Sequence, residues 1–247
     1  MLACETSEEG CLDISAANFD VHAVNACDSC CVLPVARLDV DLLYDTLTFR
    51  FGTEYQLLDT EDTIRILSFS LPFSEFAFNS SSSRYQVKDT MLNVVPQTLD
   101  DYFIIESSAV ETIGFTDFVD NINSVDCTVG YDKAKLASLQ PFIDLHPTIR
   151  ALEVTSRFYD DSLDVFFAAE LSIEIADSVR LLRIPDIDNS SIQLQYEEPI
   201  ELALGLPWAV PMNIDLRQML VGIDSLQTNE MMAETIGANL SASISSN

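Results

Sequence analysis

Leu163, Val165, Phe167, Ala169, Leu171, Ile173 and Ile175 recur at every second position through "SLDVFFAAELSIEI". Only an extended strand puts residues two apart on one face, so this stretch predicts a long strand with one side in a core. The same period appears in Leu38, Val40 and Leu42, and again in Leu47, Phe49 and Phe51, predicting two half-buried antiparallel strands. "TIRILSFSLPFSEFAF" predicts another long strand, and "NSSSSRYQVKD" a polar turn with a return strand through Tyr85 and Val87. Further strands are predicted at "DYFII", "VETIGF", "SVRLLRI" and "SIQLQYEEPIELAL". Many strands separated by Asp, Asn, Ser and Pro predict an all-β fold, an antiparallel β-sandwich. Helices are accessories, at "DKAKLASLQPF", at "IDLRQMLVGID" and near the C-terminus in "QTNEMMAETIGANLSASI". In the last, Thr228 or Asn229 can cap the start, and Met232, Ile236 and Leu240 fall on one face suited to packing on a sheet.

With 247 residues and 48% apolar content, such a body can bury a core without cross-links. Its charge narrows the partners. Twelve basic residues against 40 acidic ones give a formal −28, a field that repels phosphate backbones and excludes nucleic acid. Cations and basic proteins are compatible. No run of about twenty apolar residues exists to form a transmembrane helix.

The segment "EGCLDISAANFDVHAVNACDSCCVLP", residues 9–34, is of another kind, since it holds four of the six cysteines. Rich in Asp, Asn, Ser and Ala, it reads as too poor in large apolar groups to fix itself, and cross-links can supply the missing constraint. Four cysteines permit three pairings, and their positions do not choose among them. Zinc is a rival: Cys27-x-x-Cys30 is half a structural site, with Cys11, Cys31 or His22 as further ligands. A small cation held by Asp13, Asn18 and Asp20 is a third reading, without the glycine of an EF-hand loop. Ahead of this segment, "MLAC" has the shape of the end of a bacterial lipoprotein signal, making Cys4 the expected lipid attachment point and "ETSEEG" a polar tether.

Gly10-Cys11, Asp13, Ala17-Asn18-Phe19-Asp20 and Cys30 resemble a short module of secreted Bacteroidetes proteins. The added Cys27 and Cys31 of "CDSCC" resemble a variant that precedes an MbnP-like domain, and "DTIRILSFSLPFSEF", "VETIGFTDFVDNINSV" and "IDLRQMLVGID" resemble segments of that domain. The resemblance implies a bridge from Cys11 to Cys30, with a second, local one from Cys27 to Cys31. It implies a lipid-anchor tether over 1–9, a disulfide-tied module over 10–35 and an MbnP-like β-sandwich over 36–247. It further implies an exported binding protein, anchored by lipid to the outer membrane at the cell surface or in the periplasm. The alternative is an accessory subunit of an outer-membrane β-barrel transporter or surface assembly, without a metal site. In copper-associated members of the family a tryptophan works with histidines, so copper is the candidate cofactor, with His146, Trp208 and Met212 as its ligand set here. No Trp-x-His spacing occurs, and the family's site does not transfer residue by residue. The competing reading makes His146 a loop residue and puts Trp208 and Met212 in the core.

Asp followed by Ser or Thr and an aliphatic residue marks Thr46, Thr63, Thr90, Ser162, Ser178 and Ser225, which resembles the acceptor motif for O-linked sugars on exported Bacteroidetes proteins. Catalytic signals are scarce. Two histidines, no G-x-S-x-G elbow and seven unclustered glycines argue against hydrolase and phosphate-loop chemistry, so a non-enzymatic role is expected. Cys127 reads as a buried small residue rather than a nucleophile.

Overall fold

The computed structural model describes residues 9–27, 29–86, 103–115, 120–130, 159–160, 165–185, 191–203 and 205–246. Two short parallel strands, β1 (Glu9–Gly10) and β2 (Asn25–Ala26), precede the body. The smaller sheet of the body is built on β3 (Val35–Tyr44), which pairs with β4 (Leu47–Thr48), β9 (Ala109–Phe115) and β15 (Trp208–Asp215); β16 (Ile244–Ser245) adds to β15. The larger sheet centres on β6 (Thr63–Asn79). Against β6 lie β5 (Glu54–Gln56), β7 (Arg84–Gln86), β8 (Phe103–Ile105), β10 (Asn121–Val129) and β12 (Val165–Ile175). Next come β11 (Tyr159–Asp160) and β13 (Ser178–Pro185) on β12, and β14 (Ser191–Glu201) on β10.

All described pairs of the larger sheet are antiparallel, and the two sheets share one core, as the alternation predicts. Leu38, Val40 and Leu42 of β3 are buried, and so are Ala169, Leu171, Ile173 and Ile175 of β12. Phe78 of β6 meets Trp208 of β15 edge-on at 4.9 Å, which ties sheet to sheet. The Tyr196 hydroxyl on β14 donates to the Pro211 carbonyl on β15 at 3.1 Å, a second tie. The pairing of β3 with β15 is parallel, so the two strands run from the same end of the sandwich to the other. We call the end where they begin the entry pole and the end where they finish the exit pole.

Two strand expectations need correction. The run through Leu47, Phe49 and Phe51 is a strand only at Leu47–Thr48; Leu47 is exposed and Phe49 alone enters the core. On β12, pairing with β13 slips between Phe167 and Ala169. Phe167 therefore leaves the inward row and is half-buried beside the Arg183 guanidinium, 5.5 Å from the ring centre, while Ala168 is buried.

Two helices close the chain. In α1 (Leu216–Met219), Asp215 caps the start by accepting from the Arg217 and Gln218 N–H groups at 2.9 and 3.3 Å. In α2 (Asn229–Leu240), Thr228 is the cap, its Oγ1 accepting from Met231 N–H at 3.3 Å. Met232, Ile236 and Leu240 are buried, and α2 packs on β13. Arg180 of β13 fixes the loop before α2, donating to the Gln227 and Ser225 carbonyls at 2.7 and 2.9 Å. The helix expected at "DKAKLASLQPF" lies outside the described residues.

Candidate functional site

The four cysteines of the N-terminal segment form two disulfides, Cys11–Cys31 and Cys27–Cys30, with Cα–Cα distances of 5.0 and 5.6 Å. This corrects the pairing of Cys11 with Cys30 and Cys27 with Cys31. The reason lies in Asn18. Its side chain donates to the Cys30 carbonyl at 2.7 Å and accepts from Val32 N–H at 2.8 Å, mimicking a neighbouring strand. Neighbours in an extended chain point to opposite sides, so Cys30 and Cys31 face different partners. Cys31 meets Cys11, which is itself placed by a parallel bridge to Phe19 and by Asp20 N–H bonding its carbonyl at 2.8 Å. Cys30 is left to Cys27, whose N–H bonds the Gly10 carbonyl at 3.1 Å. Gly10 is needed there, because a Cβ would lie 2.8 Å from the Ala23 Cβ.

With all four sulfurs paired, none is left for the zinc alternative. The residues of the cation reading are engaged within the loop itself. Asp13 Oδ1 accepts from the Ser15 hydroxyl at 2.6 Å and its N–H at 2.9 Å, and Asp20 Oδ1 accepts from His22 N–H at 2.9 Å. The Ser15 hydroxyl, then its N–H, holds the Asp13 carboxyl below the usual carboxylate range. Among the described residues no group of three or more His, Cys, Asp or Glu side chains is gathered for a metal.

The segment is coreless, although not for lack of apolar residues. Leu12, Ile14, Phe19, Val21, Val24 and Val32 are all exposed, while Cys11 and Ala16 are buried. The module sits at the entry pole, running directly into β3, and it touches the loop before β15. There the Ala16 carbonyl oxygen comes within 2.9 Å of where a Cβ on Gly205 would be, and Gly205 has φ +70°. Only glycine fits that approach. The exposure of these apolar residues and the Asn18 clamp are not legible in the sequence; the apolar letters between the cysteines are the available signal.

Trp208 and Met212 stand four apart on β15, both buried on the inward face. Trp208 packs against Phe78, and Met212 lies opposite Val40 in the parallel register. The third member of the suggested copper set, His146, lies outside the described residues, as do Cys4, Thr90 and Ser162. Of the remaining acceptor positions, Thr46, Thr63 and Ser178 are exposed and Ser225 is half-buried. All four sit at the exit pole: Thr46 follows β3, Thr63 opens β6 and Ser178 opens β13. Ser225 is held against Asp62, whose carboxylate accepts from its N–H at 2.9 Å. Cys127 is buried, and burial first, then the nearby Asp126 charge, pushes its thiol up to about 12, which keeps it protonated and inert. Burial also raises the Tyr196 phenol.

No family model matches the chain, and no curated protein matches it. Among solved structures, MbnP from Methylosinus trichosporium overlays with a TM-score of 0.43 at 8% sequence identity, covering 75% of this chain and 76% of that chain. At that score the overlay assigns neither ligand nor residue to this chain.

Proposed function

We propose that this chain is an exported, non-enzymatic binding protein, in which a β-sandwich carries a disulfide-tied module at its entry pole. The observation that supports this reading is the pair of bridges, Cys11–Cys31 and Cys27–Cys30, in a segment that buries almost none of its apolar side chains. Such a segment holds its shape only where thiols stay oxidised, outside a reducing cytosol. The absence of a catalytic motif and the strongly acidic composition fit a role in binding rather than turnover. Attachment of lipid at Cys4 belongs to the same reading and would hold the module close to the membrane.

The test is a thiol count on native material isolated under alkylating conditions without reductant, read by intact mass. Cys11, Cys27, Cys30 and Cys31 are expected to stay unlabelled until a reductant is added, and a lipid at Cys4 would appear in the same spectrum. A chain in which those four thiols label at once would overturn export. Copper binding is a separate question for a spectroscopic titration: a tight site that disappears with Met212→Leu would support the metal reading.

A further inference from the structure

Exposed apolar residues scattered singly are ordinary on a protein surface, but a group concentrated in a short segment is not. Leu12, Ile14, Phe19, Val21, Val24 and Val32 range in exposure from 40% at Phe19 to 74% at Val24. The cross-links collect them. Leu12 follows Cys11, and Val32 follows Cys31, whose Cα lies 5.0 Å from that of Cys11. Phe19 is the bridge partner of Cys11, and Val21 follows Asp20, which bonds the Cys11 carbonyl. Val24 adjoins β2, the partner of Glu9–Gly10. The Cys11–Cys31 disulfide thus adjoins Leu12, Phe19, Val21 and Val32 along the backbone.

The charged residues of the module's own sequence have one sign. Glu9, Asp13 and Asp20 fall in this stretch, and the sequence has no Lys or Arg before Arg37. Exposed apolar residues on an acidic segment are complementary to an apolar patch ringed by basic residues. A second copy of the same face would meet it acid to acid, and an anionic bilayer would repel it. The geometry points to the module face as the docking surface for a protein partner whose contact patch is apolar and ringed by Lys and Arg. This inference rests on the oxidised module of the preceding reading. It can nevertheless fail while that reading stands, because the thiol count and the binding assay are separate.

The test uses the full chain and a synthetic amphipathic peptide of leucine and lysine as the probe. One variant combines Leu12→Ser, Ile14→Ser, Val21→Ser and Val24→Ser; a control combines Leu47→Ser, Val179→Ser and Leu226→Ser, which are exposed at the exit pole. Both keep the net charge of −28, so loss of binding reports place and not overall field. The module variant is expected to weaken Kd by at least about tenfold, since four aliphatic side chains kept from burial together cost more than that factor. The control should bind as the parent does. Should the combined variant lose its bridges by thiol count, Val24→Lys alone decides, since it sets a like charge against the peptide and should also weaken binding. Equal binding by parent, module variant and Val24→Lys overturns the proposal. So does module-dependent sedimentation with phosphatidylcholine vesicles, which would assign the face to lipid, or module-dependent dimerisation, which would assign it to a second copy.

Discussion

The module and the sandwich solve the same problem, fixing a chain against its conformational entropy, with different means. The sandwich relies on buried area. Its core runs unbroken from β3 and β15 of one sheet to β6, β10 and β12 of the other, with Phe69, Phe73, Phe76 and Phe78 buried along a single strand. The module has no such interior; it closes a loop between Cys11 and Cys31 and fills in with side-chain hydrogen bonds such as those of Asn18. A region held by covalent closure does not need to turn its apolar residues inward, which leaves them free to face a partner. The sandwich has no equivalent freedom, since its inward rows are its stability.

The sharpest way to break this contrast is to damage each region by its own means and look for effects in the other. Phe78→Ala removes a buried ring and its edge-on contact with Trp208, and should cost about 4 kcal/mol of global stability, lowering Tm on the order of 10 °C. The bridges should survive it, as mass after alkylation will show. Cys11→Ser with Cys31→Ser removes closure of a loop with a sequence separation of 20, and should cost the module about 3 kcal/mol. Hydrogen exchange should rise across residues 9–33 while the thermal midpoint of the sandwich stays in place. A shared collapse in either experiment would mean that the two regions fold as one unit.

How far each region is legible in the sequence follows from the same difference. Alternation fixes β3 from Leu38 to Leu42 because one parity holds throughout. On β6 the parity changes twice, from Ile64 and Ile66 to Phe69, Leu71 and Phe73, and then to Phe76 and Phe78. The slips fall at Leu67, skipped between the pairings of Ile66 and Ser68 with β12, and at Glu75, which has φ +59°. Glycine would mark such a bulge, and neither position is glycine, so the strand is readable in extent but not in which side chains point inward. In the module the need for cross-links is readable and their pairing is not. The pairing depends on which sides of the extended chain Cys30 and Cys31 face, and that is set by Asn18, twelve residues away from Cys30.

Smaller changes test how the accessory parts are held. Arg180→Ala should cost about 2 kcal/mol, because two carbonyls of the loop before α2 lose a charged donor. Exchange should increase through α2, and Arg180→Lys should recover only part of it, since an ammonium lacks the planar fork that spans both acceptors. Asn18→Ala should cost the module about 1 kcal/mol and leave the sandwich untouched. Its readout is faster reduction of Cys11–Cys31 by a dithiol.

The smallest effect is a titration that also separates the regions. Asp13 in the module has its carboxyl lowered by the Ser15 hydroxyl and then the Ser15 N–H, whereas Asp62 at the exit pole is lowered by the Ser225 hydroxyl and then its N–H. A carboxylate with a folded pKa below its unfolded value of about 3.9 contributes stability that is present above that value and lost as pH falls through the folded pKa. Both residues should therefore weaken their surroundings only in acid, each in its own region. Carboxyl-carbon NMR should find both midpoints below the ordinary Asp value. Ser15→Ala removes the larger of the two interactions at Asp13, so its midpoint should rise while that of Asp62 stays fixed, and acid should then loosen the module at a higher pH than in the parent. If the Asp62 midpoint moved with it, the two poles would be electrostatically coupled, and the separation drawn between a cross-linked module and a core-held sandwich would fail at its weakest link.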